Sequence, residues 1–293
     1  MTLEKQAISS QGLIDEEYFP TKPKKLTEEQ AIALQSVQKD LKEGLFCPHL
    51  LFGVTGSGKT EVYLQAIEYA LSLKKGVIFL IPEIILTSQT IERLKGRFKE
   101  KIALLHHKLS HGERSQTWKS ILSGQSPIVV GARSALFSPV PNLGLIIVDE
   151  EHESSYKQSD DSPCYHARDL AIVRAKLCGA VALLGSATPS LESYANALKG
   201  KYKLLPLTSR PAHYSLPQVH IVDMKHEFDK KKGFTLFSDP LIKAIKQRLS
   251  LGEQSLLLLN RRGYHSSQIC LGCSHVISCP HCDMKLTYHL SED

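Results

Sequence analysis

The stretch Gly53-Val54-Thr55-Gly56-Ser57-Gly58-Lys59-Thr60, set between an apolar run and a helical pattern, constrains this chain most. It fits G-x-x-x-x-G-K-[ST], in which the glycines let successive backbone N–H groups converge on phosphate oxygens. Lys59 then reaches the β and γ oxygens, and the Thr60 hydroxyl is offered to Mg²⁺. Such a loop works only where a strand ends and a helix begins, because the helix N-terminus supplies part of the positive field. The spacing predicts that junction here, with a strand over His49–Phe52 and a helix over Lys59–Leu73.

The same rhythm continues. Apolar runs predict strands at Val77–Ile81, Ile102–Leu105, Ile128–Val130, Leu145–Val148 and Val181–Gly185, separated by helical patterns at Thr87–Arg97, Gly112–Ser123 and Tyr165–Leu177. Strands that are almost wholly apolar and alternate with helices indicate a parallel sheet covered on both faces, an α/β fold. Ahead of the loop, a helical pattern from Leu26 to Gly44 carries Thr27 as N-cap and Gln30 as its capping-box partner. Residues 1–25 read as a tail or linker. Residues 26–200 form the first lobe, and the Pro-rich stretch 201–238 is a linker. Residues 239–293 begin a second α/β lobe, with a helix Asp239–Leu251 capped by Asp239 and a strand Ser255–Leu259. The longest apolar runs, such as Val77–Ile81, fall far short of the roughly 20 residues that cross a bilayer. Met1 is followed by charge rather than an apolar leader, so the expected location is cytoplasmic.

A phosphate loop of this kind needs a carboxylate at the end of a neighbouring strand. Leu145-Ile-Ile-Val-Asp149-Glu150-Glu151-His152 supplies it, with Asp149 as a magnesium ligand and Glu150 as the base that orients and deprotonates water. Near the end of the chain, Cys270-x2-Cys273 and Cys279-x2-Cys282 are paired knuckles. In a reducing compartment such knuckles favour tetrahedral zinc over disulfides. Lys and Arg number 36 against 30 Asp and Glu, an excess of +6 that lies mostly beyond residue 200. That permits contact with nucleic acid without requiring it.

Several stretches together resemble superfamily 2 helicases, and among them the primosomal, replication-restart branch. Asp149-Glu-Glu-His152 and Gly185-Ser-Ala-Thr188 resemble its motifs II and III, and Gly131-Ala-Arg133-Ser-Ala its motif Ib. Ile81-Pro82-Glu83-Ile84, Tyr165-His-Ala-Arg-Asp169 and Leu259-Asn-Arg-Arg-Gly-Tyr264 extend the match from about Leu26 to the last residue. The resemblance implies a RecA-like P-loop lobe, ATP with Mg²⁺, two Zn²⁺ ions per complete protein, and 3′ to 5′ unwinding of forked DNA during replication restart. It also implies partners: single-stranded DNA, other primosome proteins and single-stranded DNA-binding protein. Gln30 sits where such helicases read adenine, although the capping box claims the same amide. Arg133 and the Pro82-Glu83-Ile84 turn would line the path of a single strand. Tyr156, Tyr165, His166 and Arg168 would form an aromatic-rich loop that senses single-stranded DNA, where stacking on a base is worth about 1 to 3 kcal/mol. Core packing for Tyr165 and a solvated helix face for Arg168 are the plainer readings. Ser186 and Thr188 would link the nucleotide to the DNA.

The family holds its two zinc ions with four knuckles and completes its ATP site with arginines from a second lobe. Only two knuckles are present here, so the expectation is a truncated motor that does not unwind DNA alone. Two other classes stay open: a P-loop ATPase without a DNA track, and a zinc-dependent nucleic-acid-binding module with a vestigial ATP site.

Overall fold

The computed structural model describes residues 22–82, 88–98, 102–106, 109–159, 162–209, 218–231, 233, 235–258, 275–282 and 284–286. They fall into two compact units, Met1–Ser215 and Leu216–Asp293. The expected tail up to residue 21, Glu83 and Ile84 of the proposed turn, and 259–264 lie outside the described residues.

The first unit opens with α1 (Glu28–Glu43), begun by the expected capping box: the Thr27 hydroxyl accepts from the Gln30 N–H while the Gln30 side chain accepts from the Thr27 N–H. The chain then runs β1 (Cys47–Gly53), α2 (Lys59–Ser72), β2 (Gly76–Leu80), α3 (Ser88–Arg97), β3 (Ile102–Leu105) and α4 (His111–Leu122). Next come β4 (Ile128–Gly131), a 3-10 turn at Arg133–Phe137, β5 (Leu143–Asp149) and a second 3-10 turn at Ser154–Tyr156. A small antiparallel ribbon of β6 (Lys157–Gln158) and β7 (Tyr165–His166) leads into α5 (Ala167–Cys178). The unit closes with β8 (Val181–Ser186), α6 (Leu191–Leu198) and β9 (Lys203–Leu207).

Seven of these strands form one parallel sheet in the order β3-β4-β2-β5-β8-β1-β9. β2, β4 and β8 are buried along their whole length, as strands covered on both faces must be. Two apolar clusters flank the sheet. One face packs Val37 and Leu41 of α1 and Val62, Tyr63 and Ile67 of α2, while the other packs Ala167, Ala171 and Ala175 of α5. Alanines at four-residue spacing let α5 lie close to the strands.

Register decides what meets at the carboxyl end of the sheet. β8 stands between β1 and β5, pairing Gly185 with Asp149 and Ser186 with Phe52, and β9 pairs Leu207 with Gly53. Open α/β sheets bind ligands in the crevice beyond these strand ends.

The structure corrects several local expectations. Tyr165 and His166 are strand rather than helix, so α5 starts at Ala167. Lys203–Leu207, assigned from the sequence to a linker, is the edge strand of the first sheet. Proline at 206 suggested a loop, but an edge strand tolerates it. In the second unit, α7 (Met224–Lys231) precedes α8 (Asp239–Ser250), and the N-cap of α8 is Ser238 rather than Asp239. Asp239 instead accepts bonds from Lys230 and Lys231, while its N–H donates to the buried Glu227 at 2.6 Å. Residues 255–258 carry no strand, with Leu256 and Leu258 exposed.

Candidate nucleotide-binding site

The phosphate loop joins β1 to α2 as its sequence demands. Gly56 and Gly58 take φ of +81°, a left-handed conformation that a side chain would strain. The Ser57 N–H donates to the Val54 carbonyl at 2.9 Å, and the Val54 N–H reaches across to Leu207 of β9 at 3.2 Å. Lys59 is buried and donates to the Gly53 carbonyl at 3.0 Å, folding back over the loop it follows. The Ser57 hydroxyl is buried and has no partner among the described residues, a polar atom left unmatched within the loop. Thr55, Gly56, Gly58, Lys59 and Thr60 line a cavity of about 590 Å³ together with Gln30, Asp149 and Glu150. That is the size range of a small-molecule site. Gln30 has a double duty: besides the capping box, its Nε2 donates to the Ser57 carbonyl at 2.7 Å. Its amide therefore splints the loop to α1.

Asp149 ends β5 facing this cavity. Its Oδ1 accepts from the Tyr63 hydroxyl at 3.0 Å and from the Glu150 N–H at 3.1 Å. Burial, and then the neighbouring Glu150 charge, push its pKa up to about 6, against the pull of the Tyr63 hydrogen bond, the Glu150 N–H and Lys59. A carboxylate so poorly stabilised in place suits a divalent cation. Lys59, the Thr60 hydroxyl and Asp149 make a donor set that fits a magnesium polyphosphate. Glu150 adopts φ of +46°, uncommon for a side chain with a Cβ, at the sharp turn leaving β5.

The next two residues were not singled out from the sequence, yet they organise the turn. Glu151 is fully buried, accepting from the Ser190 N–H at 2.6 Å, the Ser193 hydroxyl at 2.8 Å and Arg168 Nη1 at 3.3 Å. It thereby fastens motif II to the start of α6. His152 Nδ1 lies 2.7 Å from the Ser186 hydroxyl and 3.6 Å from Glu150 Oε2, and its Nε2 lies 3.5 Å from Thr188 Oγ1. The Ser186 hydroxyl also accepts the Thr188 N–H at 2.9 Å. A bonded chain thus runs from the end of β5 to the end of β8. The four-residue run Asp-Glu-Glu-His was the available signal for both residues.

On the neighbouring surface, the expected DNA residues divide. Arg133 donates to the Lys157 carbonyl at 3.0 Å, and Tyr165 stands edge-on to the exposed Phe137 with ring centroids 5.2 Å apart. His166 is half-buried beside them in β7. Tyr156 and Arg168 do not belong to that surface. Tyr156 is buried with its hydroxyl donated to the Asp149 carbonyl at 2.8 Å. Arg168 is buried against Glu151 and Asp169, also donating to the Ser190 hydroxyl at 2.6 Å. Both side chains are spent on holding the motif II turn. Pro82 is buried at the end of β2.

Residues 27–197 match the DEAD/DEAH box helicase family. The chain belongs to that family. The helicase fold is also that of RecG bound to a three-way DNA junction, with a TM-score of 0.56, 24% identity, and coverage of 79% of this chain and 29% of RecG. Among curated relatives, the chain is 52% identical to replication restart protein PriA of Chlamydia pneumoniae over 93% of its length, and 47% identical to PriA of Bacillus subtilis over 94%. It spans about a third of those relatives, 36% and 34% respectively.

In this chain the sheet, phosphate loop and motif II turn all lie within the first unit, a RecA-like lobe. The cysteine knuckles belong to the second. Cys270 and Cys273 lie outside the described residues, while Cys279 and Cys282 sit at the tip of a small hairpin closed by the antiparallel bridge of Ser278 to Lys285. The Cys279 N–H donates to Met284 at 2.9 Å, and the His281 N–H approaches Cys279 Sγ at 3.5 Å. That last contact is the main pull lowering the Cys279 thiol pKa, with the Cys282 side chain next. A turn that favours the Cys279 thiolate suits a zinc ligand at that position. A different ligand-like cluster, Asp40, Cys47 and His49, lies at the opposite end of β1. The Lys203 ammonium already sits 2.7 and 2.9 Å from the two Asp40 oxygens, so that carboxylate has its counter-ion. Among the described residues no helix is long and apolar enough to cross a membrane.

Proposed function

We propose that this chain is the nucleotide-binding lobe, with the start of a second lobe, of an ATP-dependent 3′ to 5′ DNA helicase. In this reading it remodels stalled or abandoned replication forks and promotes primosome assembly, working with single-stranded DNA-binding protein and other primosome proteins. One observation carries the chemistry: the register of β1, β8 and β5 brings Lys59, Thr60, Asp149 and Glu150 to one cavity. The names borne by the relatives support the replication-restart role.

Lys59 swings from the Gly53 carbonyl to the β and γ oxygens of ATP, exchanging a neutral acceptor for an anionic one. Thr60 and Asp149 would hold Mg²⁺, which would supply charge neutralisation on the transferring phosphoryl group. Glu150 takes the proton of the attacking water on its carboxylate. Gln30 reads adenine only by giving up or sharing its bond to Ser57, so base recognition and loop position are linked. His152, Ser186 and Thr188 carry the state of Glu150 towards β8. Arg133, Tyr165 and His166 face the single strand, by phosphate contact and stacking. Cys270, Cys273, Cys279 and Cys282 contribute to zinc binding.

The test is binding of a fluorescent ATP analogue followed by turnover. Lys59→Ala is expected to lose binding, and unchanged affinity would overturn the assignment of the loop. In the chain extended to the length of its relatives, Glu150→Gln is expected to bind ATP normally and hydrolyse it at least about 100-fold more slowly. Equal turnover removes Glu150 from the role of base.

A further inference from the structure

The three lysines just ahead of α1 belong, in sequence terms, to a tail. We infer that Lys22, Lys24 and Lys25 instead form a cationic wall of the nucleotide cavity that binds the anionic part of the nucleotide, a proposal that rests on the ATP reading above. All three line the cavity, on the same rim as Glu61, Leu64 and Arg97 of α2 and α3.

The segment that carries them is fixed even though the side chains are exposed. The Lys24 N–H donates to Glu61 Oε1 at 3.0 Å, and the Lys24 carbonyl accepts from Gln65 Nε2 at 3.0 Å. Gln65 Nε2 also donates to Glu61 Oε1 at 2.8 Å, which locks the two anchors to one another. Arg97 reaches the same Glu61 oxygen at 3.0 Å and pairs with Glu68, so the anchor carboxylate is itself held. Glu61 directly follows Lys59 and Thr60 in the first turn of α2. The spacing between the lysine backbone and the phosphate loop is therefore set by one helix.

Charge explains what such a wall is for. The Arg97 guanidinium is consumed by Glu61 and Glu68. Among the described residues, no carboxylate lies within ion-pairing distance of the Lys22, Lys24 or Lys25 ammonium groups. Three uncompensated cations thus line a cavity that Asp149 and Glu150 also line. Lysine ammonium groups on flexible stems suit an anion whose position is already fixed by a backbone cradle. Their attraction acts partly through solvent and weakens with salt.

The experiment titrates the 293-residue chain with a fluorescent ATP analogue at 50 and 300 mM salt. A variant with Lys22, Lys24 and Lys25 all changed to Ala is expected to bind about tenfold more weakly at low salt, with the gap closing at high salt. Replacing all three by Arg restores affinity, and thermal stability is the same in the three proteins because the side chains are exposed. Equal low-salt affinity of wild type and the triple Ala variant, while Lys59→Ala still loses binding, overturns the lysine wall and leaves the ATP reading intact. If wild type does not bind, or Lys59→Ala binds as wild type does, the ATP reading fails and this proposal fails with it.

Discussion

Glu151 shows how far a residue's role can differ from that of its immediate neighbours. Asp149 and Glu150 face the cavity, whereas Glu151 turns inward and satisfies its charge with Arg168, Ser190 and Ser193. Removing one partner of a buried pair leaves the other charge uncompensated, at a cost of about 3 to 5 kcal/mol. Glu151→Ala is therefore expected to lower the unfolding free energy from urea titration by that much, and Glu151→Ala with Arg168→Leu to recover part of it. A loss below about 1 kcal/mol for the single change would show that Arg168 finds another partner. The loop and the motif II carboxylates were legible because each is a local string. The inward turn of Glu151, Tyr156 and Arg168 was not, because glutamate, tyrosine and arginine look alike in sequence whether they face solvent or core. Only the packing of α5 and α6 on the sheet decides between the two.

Among the elements, β8 has the most demanding position. It separates the phosphate-loop strand from the motif II strand, and Gly185 lies where Tyr63 must pass to reach Asp149. A Cβ at Gly185 would lie 1.5 Å from the Tyr63 hydroxyl oxygen and 2.7 Å from its ring carbon. Gly185→Ala should push the ring off Asp149, costing about 1 to 3 kcal/mol through overpacking and weakening nucleotide binding as well. Tyr63→Phe removes the hydroxyl alone and should cost less, about 1 kcal/mol. If thermal unfolding of the two variants shifts equally, the steric argument fails. The strands were readable as apolar runs and α1 by its capping box. α6 and β9 escaped notice because α6 spans only Leu191–Leu198 and β9 contains Pro206. What identifies them is tertiary: Glu151 on the cap of one, and pairing with β1 for the other.

At the scale of the whole first unit, α1, β1 and β9 are joined beneath the sheet by Asp40, His49 and Lys203. His49 Nε2 lies 2.9 Å from Asp40 Oδ2, and Lys203 grips the same carboxylate. Burial, aided by Lys203 and opposed by Asp40, pushes the His49 pKa down to about 4. The native state therefore keeps His49 neutral where an unfolded histidine, with a pKa near 6.5, takes up a proton. The stability tied to neutral His49 is complete above about pH 6.5 and is lost as pH falls towards 4, to a total of about 3 kcal/mol. Urea midpoints measured from pH 7 to pH 4.5 should fall more steeply for wild type than for His49→Gln. Parallel curves would show that His49 is not the group responsible.

The strand order also dictates how this lobe must be made. β1 is synthesised first, but both of its sheet neighbours, β8 and β9, are synthesised last, about 130 residues later. At 5 to 20 residues per second, β1 waits roughly 6 to 26 s on the ribosome with neither edge paired. Leu50 and Leu51, fully buried in the finished lobe, are unshielded by the sheet for all of that time. A nascent chain arrested between residues 150 and 180 should therefore be a strong client for chaperones that grip extended apolar segments. One arrested with β9 clear of the exit tunnel should release them.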